Sequence, residues 1–137
     1  MYRKILVPVD LTHARELVRA LEVAADLSRH YGAPIVYVAV TAETPTPVAH
    51  NPTEFALKLE EFGKAQAQAH AITAETRAYT STDPAIDVDR ILRRAVSENG
   101  ADLVVMQSHV PNVTDYLWGS HGGSMASHAD VSVLVVR

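Results

Sequence analysis

Apolar runs alternate along this chain with stretches of helical periodicity, and that alternation limits the fold more than any other feature. Lys4 to Val9 is a continuous apolar run, the pattern of a strand covered on both faces. Asp10 ends it, placed either to meet a ligand or to cap the next turn. Thr12 or His13 begins a helix in which Leu17, Leu21, Ala24, Ala25 and Ser28 recur at helical spacing, and Gly32 stops it. Ile35 to Val40 is a second buried strand. Thr41 to Pro52 reads as a loop broken by Pro45, Pro47 and Pro52, either a lid or an unstructured connection. Asn51 or Thr53 caps a second helix with Phe55, Leu59, Phe62 and Ala69 inward, and Gly63 is expected to weaken it by up to about 1 kcal/mol. His70 to Tyr79 reads as a third strand. Asp83-Pro84 then supplies an N-cap and a first helical residue, followed by an inner stripe of Val88, Ile91, Leu92, Ala95 and Val96 that ends at Asn99-Gly100. A strand over 101–107, a helix to about His128 and a strand over 131–136 complete the order.

Such alternation predicts an α/β fold: one parallel five-stranded sheet, order 3-2-1-4-5, with helices on both faces and right-handed crossovers. The 137 residues suit a single domain spanning 1–137. In such a sheet ligands bind at the carboxyl ends of the strands, where the winding reverses. That reversal falls between the first and fourth strands. It places Asp10 beside Ser108 and His109, facing Gly119-Ser120.

The segment after the fourth strand has the composition of an anion cradle. Gly119, Ser120, Gly122, Gly123 and Ser124 crowd a helix entrance, where unpaired N–H groups and a partial positive charge favour a phosphate. The same residues would also suit a helix packed close to a sheet, and neither G-x-x-x-x-G-K-[ST] nor G-x-G-x-x-G is present. From Ala101 to Val136 there is no Lys or Arg. A triphosphate there would rest on amides, hydroxyls and Mg²⁺ bound through the phosphates.

Composition narrows the partners. A net charge of −4 without a basic patch argues against nucleic acid. No run reaches the ~20 apolar residues of a membrane span. The absence of cysteine excludes disulfides and suits a reducing compartment. The first residues read as a strand rather than a signal peptide, so a cytoplasmic location is expected.

Several stretches in order resemble the universal stress protein family: Ile5-Leu-Val-Pro-Val-Asp10, the strand ending at Val40, Asp102-Leu-Val-Val-Met106, Ser108-His109, Gly119-Ser120 and Val133-Leu-Val-Val-Arg137. The resemblance covers the whole chain and is nearest the UspF/UspG-like branch, which shares Ser-His-x-Pro. It implies a Rossmann-like domain that binds ATP or AMP and serves stress responses as a sensor or adaptor. By that resemblance Pro8, Val9, Asp10 and Val40 line the adenine and ribose side. Met106, Gln107, Ser108, His109 and Val110 run along the ribose and phosphates. Gly119, Ser120, His121 and Gly122 wrap the phosphates. It also implies a homodimer through the terminal strand 131–136, with a tetramer left open.

This chain departs from the family's Gly-x-x-Gly-(nine residues)-Gly-Ser pattern. Gln107 and Val110 stand for the first two glycines, and the interval to Gly119 is one residue shorter. A Cβ at either position would obstruct phosphate if the backbone there needs positive φ. The alternative is therefore a nucleotide-free dimeric interaction module of the same fold.

No catalytic residue is indicated. Ser108, His109 and Asp10 offer the residue types of a triad, but neighbours on an extended chain point to opposite sides and no nucleophile elbow is present. At most, positioning alone would support slow ATP hydrolysis. His109, His121 and His128 lack metal-ligand spacing, so no metal site is expected. A phospho-receiver domain would want an Asp ending the third strand, and Arg77 to Thr82 supplies none.

Overall fold

The architecture comes from a computed structural model that describes residues 1–108 and 130–137. The sheet has five parallel strands: β1 (Ile5–Pro8), β2 (Ile35–Ala42), β3 (Ala74–Ser81), β4 (Leu103–Gln107) and β5 (Ser132–Val136), in the order β3-β2-β1-β4-β5. This is the expected order. The helices among the described residues are α1 (Val18–Tyr31), α2 (Pro52–His70) and α3 (Pro84–Asn99), with a 3-10 segment over Leu11–Leu17 before α1. The expected helix ending near His128 lies outside the described residues.

Strand side chains alternate strictly between two cores. Ile5, Val7, Val9, Ile35, Tyr37, Leu103 and Val105 meet Leu21 and Ala24 of α1 and Phe55 and Leu59 of α2. Leu6, Val36, Val38, Val40, Val104 and Met106 meet Val88, Ile91, Leu92, Ala95 and Val96 of α3 on the other face. Burying each Leu or Ile stabilises the fold by about 1.5–3 kcal/mol. That is why β1, β2 and β4 carry unbroken apolar runs instead of alternating ones.

The termini of the elements differ in detail from the sequence reading. Asp10 caps the 3-10 segment by accepting the Thr12 N–H at 3.0 Å. Asn51, not Thr53, caps α2 by accepting the Glu54 N–H at 2.8 Å. Helix α2 continues through His70, and Ala71 stops it at φ 53° with its N–H on the Ala67 carbonyl. The third strand therefore starts at Ala74 rather than His70. An alanine in the left-handed region costs about 1–2 kcal/mol, and nothing in its residue type announces the stop. Gly32 and Gly100 end α1 and α3 at φ +64°, where glycine carries no such cost. Ala69, expected inward, is exposed.

Gly63 is buried inside α2. A Cβ there would run into Thr76 Cγ2 of β3. Its missing side chain lets the helix lie close on the sheet, and the Tyr37 ring meets Phe62 edge-on beside it at 5.4 Å.

Candidate functional site

At the carboxyl ends of β1 and β2 lies an open cleft of about 290 Å³. Its floor is Val9, Asp10, Val40, Thr41 and Ala42, and its other walls bring in Leu11, Thr12, Phe55, Asp83 and Pro84. Thr46, Pro47 and Val48 border it from the connection between β2 and α2. The register explains this convergence. Ala42 pairs with Ser81, so the tips of β2 and β3 end level and the head of α3 stands beside them. Val9 donates to the Val38 carbonyl at 2.8 Å, carrying β1 one residue further toward the cleft.

Pro8 shapes the edge of β1 that faces β4. In a parallel strand successive main-chain groups point to alternate neighbours. Ile5 donates to Pro34 on the β2 side, while the Lys4 carbonyl accepts from Asp102 at 3.0 Å on the β4 side. Pro8 therefore faces β4, and it has no N–H to give. The β1–β4 ladder holds only Ile5↔Leu103 and Leu6↔Val104, whereas β1 pairs with β2 as far as Pro8↔Val38. The winding reverses where this ladder stops, as expected of a ligand crevice in an open α/β sheet.

Asp10 sits in the cleft at only 8% exposure. One carboxylate oxygen accepts the Thr12 N–H, and the other lies 2.8 Å from His13 Nδ1. Asp10 thus caps the turn and also lines the cleft. The histidine beside Asp10 is His13, three residues on. The Asp-x-x-His spacing after the first strand was the available signal for it, while His109, expected beside Asp10, lies outside the described residues.

The loop between β2 and α2 is organised by its own hydrogen bonds. Strand β2 runs on to Ala42, two residues past the expected end. The Thr46 N–H donates to the Ala49 carbonyl at 2.9 Å, and Thr46 Oγ1 accepts from the Val48 and Ala49 N–H groups at 3.3 and 3.2 Å. The Lys58 ammonium donates to the Val48 carbonyl. Ala49 is buried beneath. Among the described residues this turn is a structured rim of the cleft rather than an unstructured connection.

Of the residues singled out from sequence, Val9, Asp10 and Val40 line this one cleft. Pro8 is buried at the end of β1. Met106 is buried among the residues facing α3. Gln107 ends β4 with its side-chain oxygen buried and without a hydrogen-bond partner among the described residues, and the Ser108 N–H donates to the Val136 carbonyl at 2.6 Å. His109, Val110, Gly119, Ser120, His121 and Gly122 lie outside the described residues. Thr41, Thr46, Val48, Phe55 and Asp83 were not anticipated. Their place depends on strand register and on the turn at Thr46, which local spacing does not reveal. No group of three or more metal-ligating side chains occurs among the described residues.

The family model for the universal stress protein family matches residues 1–137. The chain belongs to that family. It is 30% identical to universal stress protein G of Salmonella typhimurium, with 100% of both chains covered. Its fold is also that of a universal stress protein solved in complex with cAMP, at a TM-score of 0.71 and 19% identity over 99% of this chain and 97% of the other. A family member from Arabidopsis thaliana with AMP bound superposes at a TM-score of 0.67, with 16% identity over 98% of this chain and 90% of that one. Among the described residues no helix is long and apolar enough to cross a membrane.

Proposed function

We propose that this chain binds an adenine nucleotide, ATP or AMP, in the cleft at the tips of β1 and β2 and acts in the stress response as a sensor or adaptor. The observation that carries the reading is the meeting of Val9 and Asp10 with Val40, some thirty residues on, in one cleft at the carboxyl ends of β1 and β2. The cleft suits the nucleoside part of such a ligand. Val9, Val40, Val48 and Phe55 offer apolar surface for a base, and Asp10 and Thr41 offer oxygens for sugar or amine donors. No Lys or Arg is among the described residues that line it. The relatives solved with cAMP and with AMP bind the same class of ligand.

In this reading Met106, Gln107, Ser108, His109 and Val110 carry the ligand from sugar to phosphates, and Gly119, Ser120, His121 and Gly122 hold the phosphates. The chemistry required of the chain is binding and orientation, with no catalytic group. Because the stretch from Ala101 to Val136 lacks cationic side chains, ATP is expected to bind through Mg²⁺ on its phosphates. Mass spectrometry of the purified protein should find a co-purifying adenine nucleotide. Calorimetric titration should give tighter ATP binding with Mg²⁺ than with a chelator. Failure of the protein to bind ATP or AMP in either condition would refute the reading.

The second reading is a nucleotide-free dimeric interaction module of the same fold, with the exposed apolar surface of β5 as its working face. Leu134 and Val135 are 38% and 36% exposed on an edge strand. Pairing of that strand with its copy in a homodimer would cover the edge in either reading.

A further inference from the structure

Asp83 occupies the head of α3, where an aspartate ordinarily accepts a hydrogen bond from the first turn. Its side chain makes no such bond. The main chain around it is fully engaged instead. The Asp83 N–H donates to Ser81 Oγ at 3.1 Å, and its carbonyl accepts from the Ile86 and Asp87 N–H groups at 3.1 and 3.0 Å. The Ser81 hydroxyl in turn donates to Asp87 at 2.7 Å. The turn is thus held by Ser81 and Asp87, and the Asp83 carboxylate is not needed to cap the helix.

Asp83 lines the same cleft as Asp10. The two carboxylates differ in what they can still accept. Asp10 is already bonded through both oxygens, to Thr12 and His13. Asp83 is exposed and belongs to the α3 wall of the cleft. With no Lys or Arg among the described lining residues, two carboxylates in one cleft disfavour a phosphate beside them and favour a neutral group that donates hydrogen bonds.

We propose that Asp83 is a specificity-determining residue of the cleft, accepting a hydrogen bond from the donor groups of a nucleoside and directing the phosphates away from this end. The proposal rests on the nucleotide reading above. Two sources of that donor chemistry exist, the sugar hydroxyls and the exocyclic amine of the base. AMP, 2′-deoxy-AMP, 3′-deoxy-AMP and purine riboside 5′-monophosphate separate them, because each analogue of AMP lacks one donor.

The test is calorimetric titration of these four ligands into the wild-type protein and into Asp83→Ala, Asp83→Asn and Asp83→Ser, with thermal melting of each. A hydrogen bond to a charged acceptor is worth about a tenfold change in affinity or more. AMP should therefore bind Asp83→Ala about tenfold more weakly. One analogue should bind the wild type about tenfold more weakly than AMP, and that gap should close in the variants. Melting temperatures should change little, since no capping bond is lost. Should Asp83→Ala fail to fold, Asp83→Asn keeps the size of the side chain without its charge and Asp83→Ser adds a hydroxyl able to cap the first turn, so either carries the comparison. Wild-type binding with the same affinities and the same gaps in every variant would overturn the role of Asp83 and leave the nucleotide reading intact. Absence of binding by the wild type to all four ligands would overturn both.

Discussion

Asp10 joins two demands in one side chain. It caps the 3-10 segment through Thr12 and stands in the cleft beside His13. The substitutions Asp10→Ala and Asp10→Ser separate the two. Alanine should lower stability by about 1 kcal/mol through the lost cap and weaken AMP binding about tenfold or more. Serine keeps a capping oxygen, so it should restore most of the stability but not the affinity; equal recovery of both in titration and melting would tie Asp10 to structure alone. Gly63 offers a prediction whose sign depends on packing. Helix propensity favours alanine over an interior glycine by about 1 kcal/mol. The Thr76 methyl, however, occupies the space a Cβ would take, and overpacking typically costs about 1–3 kcal/mol. Gly63→Ala should therefore destabilise the protein in chemical denaturation, and adding Thr76→Ser should recover much of the loss. The sequence shows both residues but not that they face each other.

At the scale of the elements, Asp102 fastens β4 to β1. Its carboxylate accepts the Arg3 N–H at 3.1 and 3.0 Å and the Lys4 N–H at 3.1 Å. Burial works to raise the Asp102 pKa, but the amides of Lys4 and Arg3 outweigh it and hold the carboxyl below its ordinary range. Glu75 is held low as well, first by its hydrogen bond from Lys4, at the start of the same strand. A carboxyl whose pKa is depressed by folding contributes stability above its unfolded value of about 3.9, and that contribution fades as pH falls through the lower folded value. Asp102→Asn should thus melt below the wild type at neutral pH, and the difference should shrink as the pH is taken from about 5 to below 3. A difference that does not vary with pH would contradict this account. The strands and helices themselves were legible because their inner faces follow one period or the other. The stop of α2 at Ala71 was not, since a left-handed alanine is held by its surroundings and not by its own preference.

On the scale of the whole molecule, the sheet has β3 and β5 at its edges. Strand β3 carries Glu75 and Arg77, charges that discourage pairing with another chain. Strand β5 instead exposes Leu134 and Val135. Sedimentation at micromolar concentration should give a dimer, and Leu134→Asp should give a monomer that keeps the wild-type circular dichroism. A wild-type monomer would remove the interface assigned to 131–136.

The residue order by itself determined the kind of fold. Alternating periods of two and of 3.6 dictate which faces must be buried, and regular β-α succession leaves few ways to wind a parallel sheet. Hence the strand order and the apolar faces that build the two cores could be read without coordinates. Tertiary structure alone decided what meets around the cleft: the tips of β1 and β2, the turn at Thr46 and the head of α3 at Asp83. Those relations depend on the register between strands and on the close approach of α2 at Gly63. Both are set by how residues remote along the chain pack together, a property that no local spacing encodes.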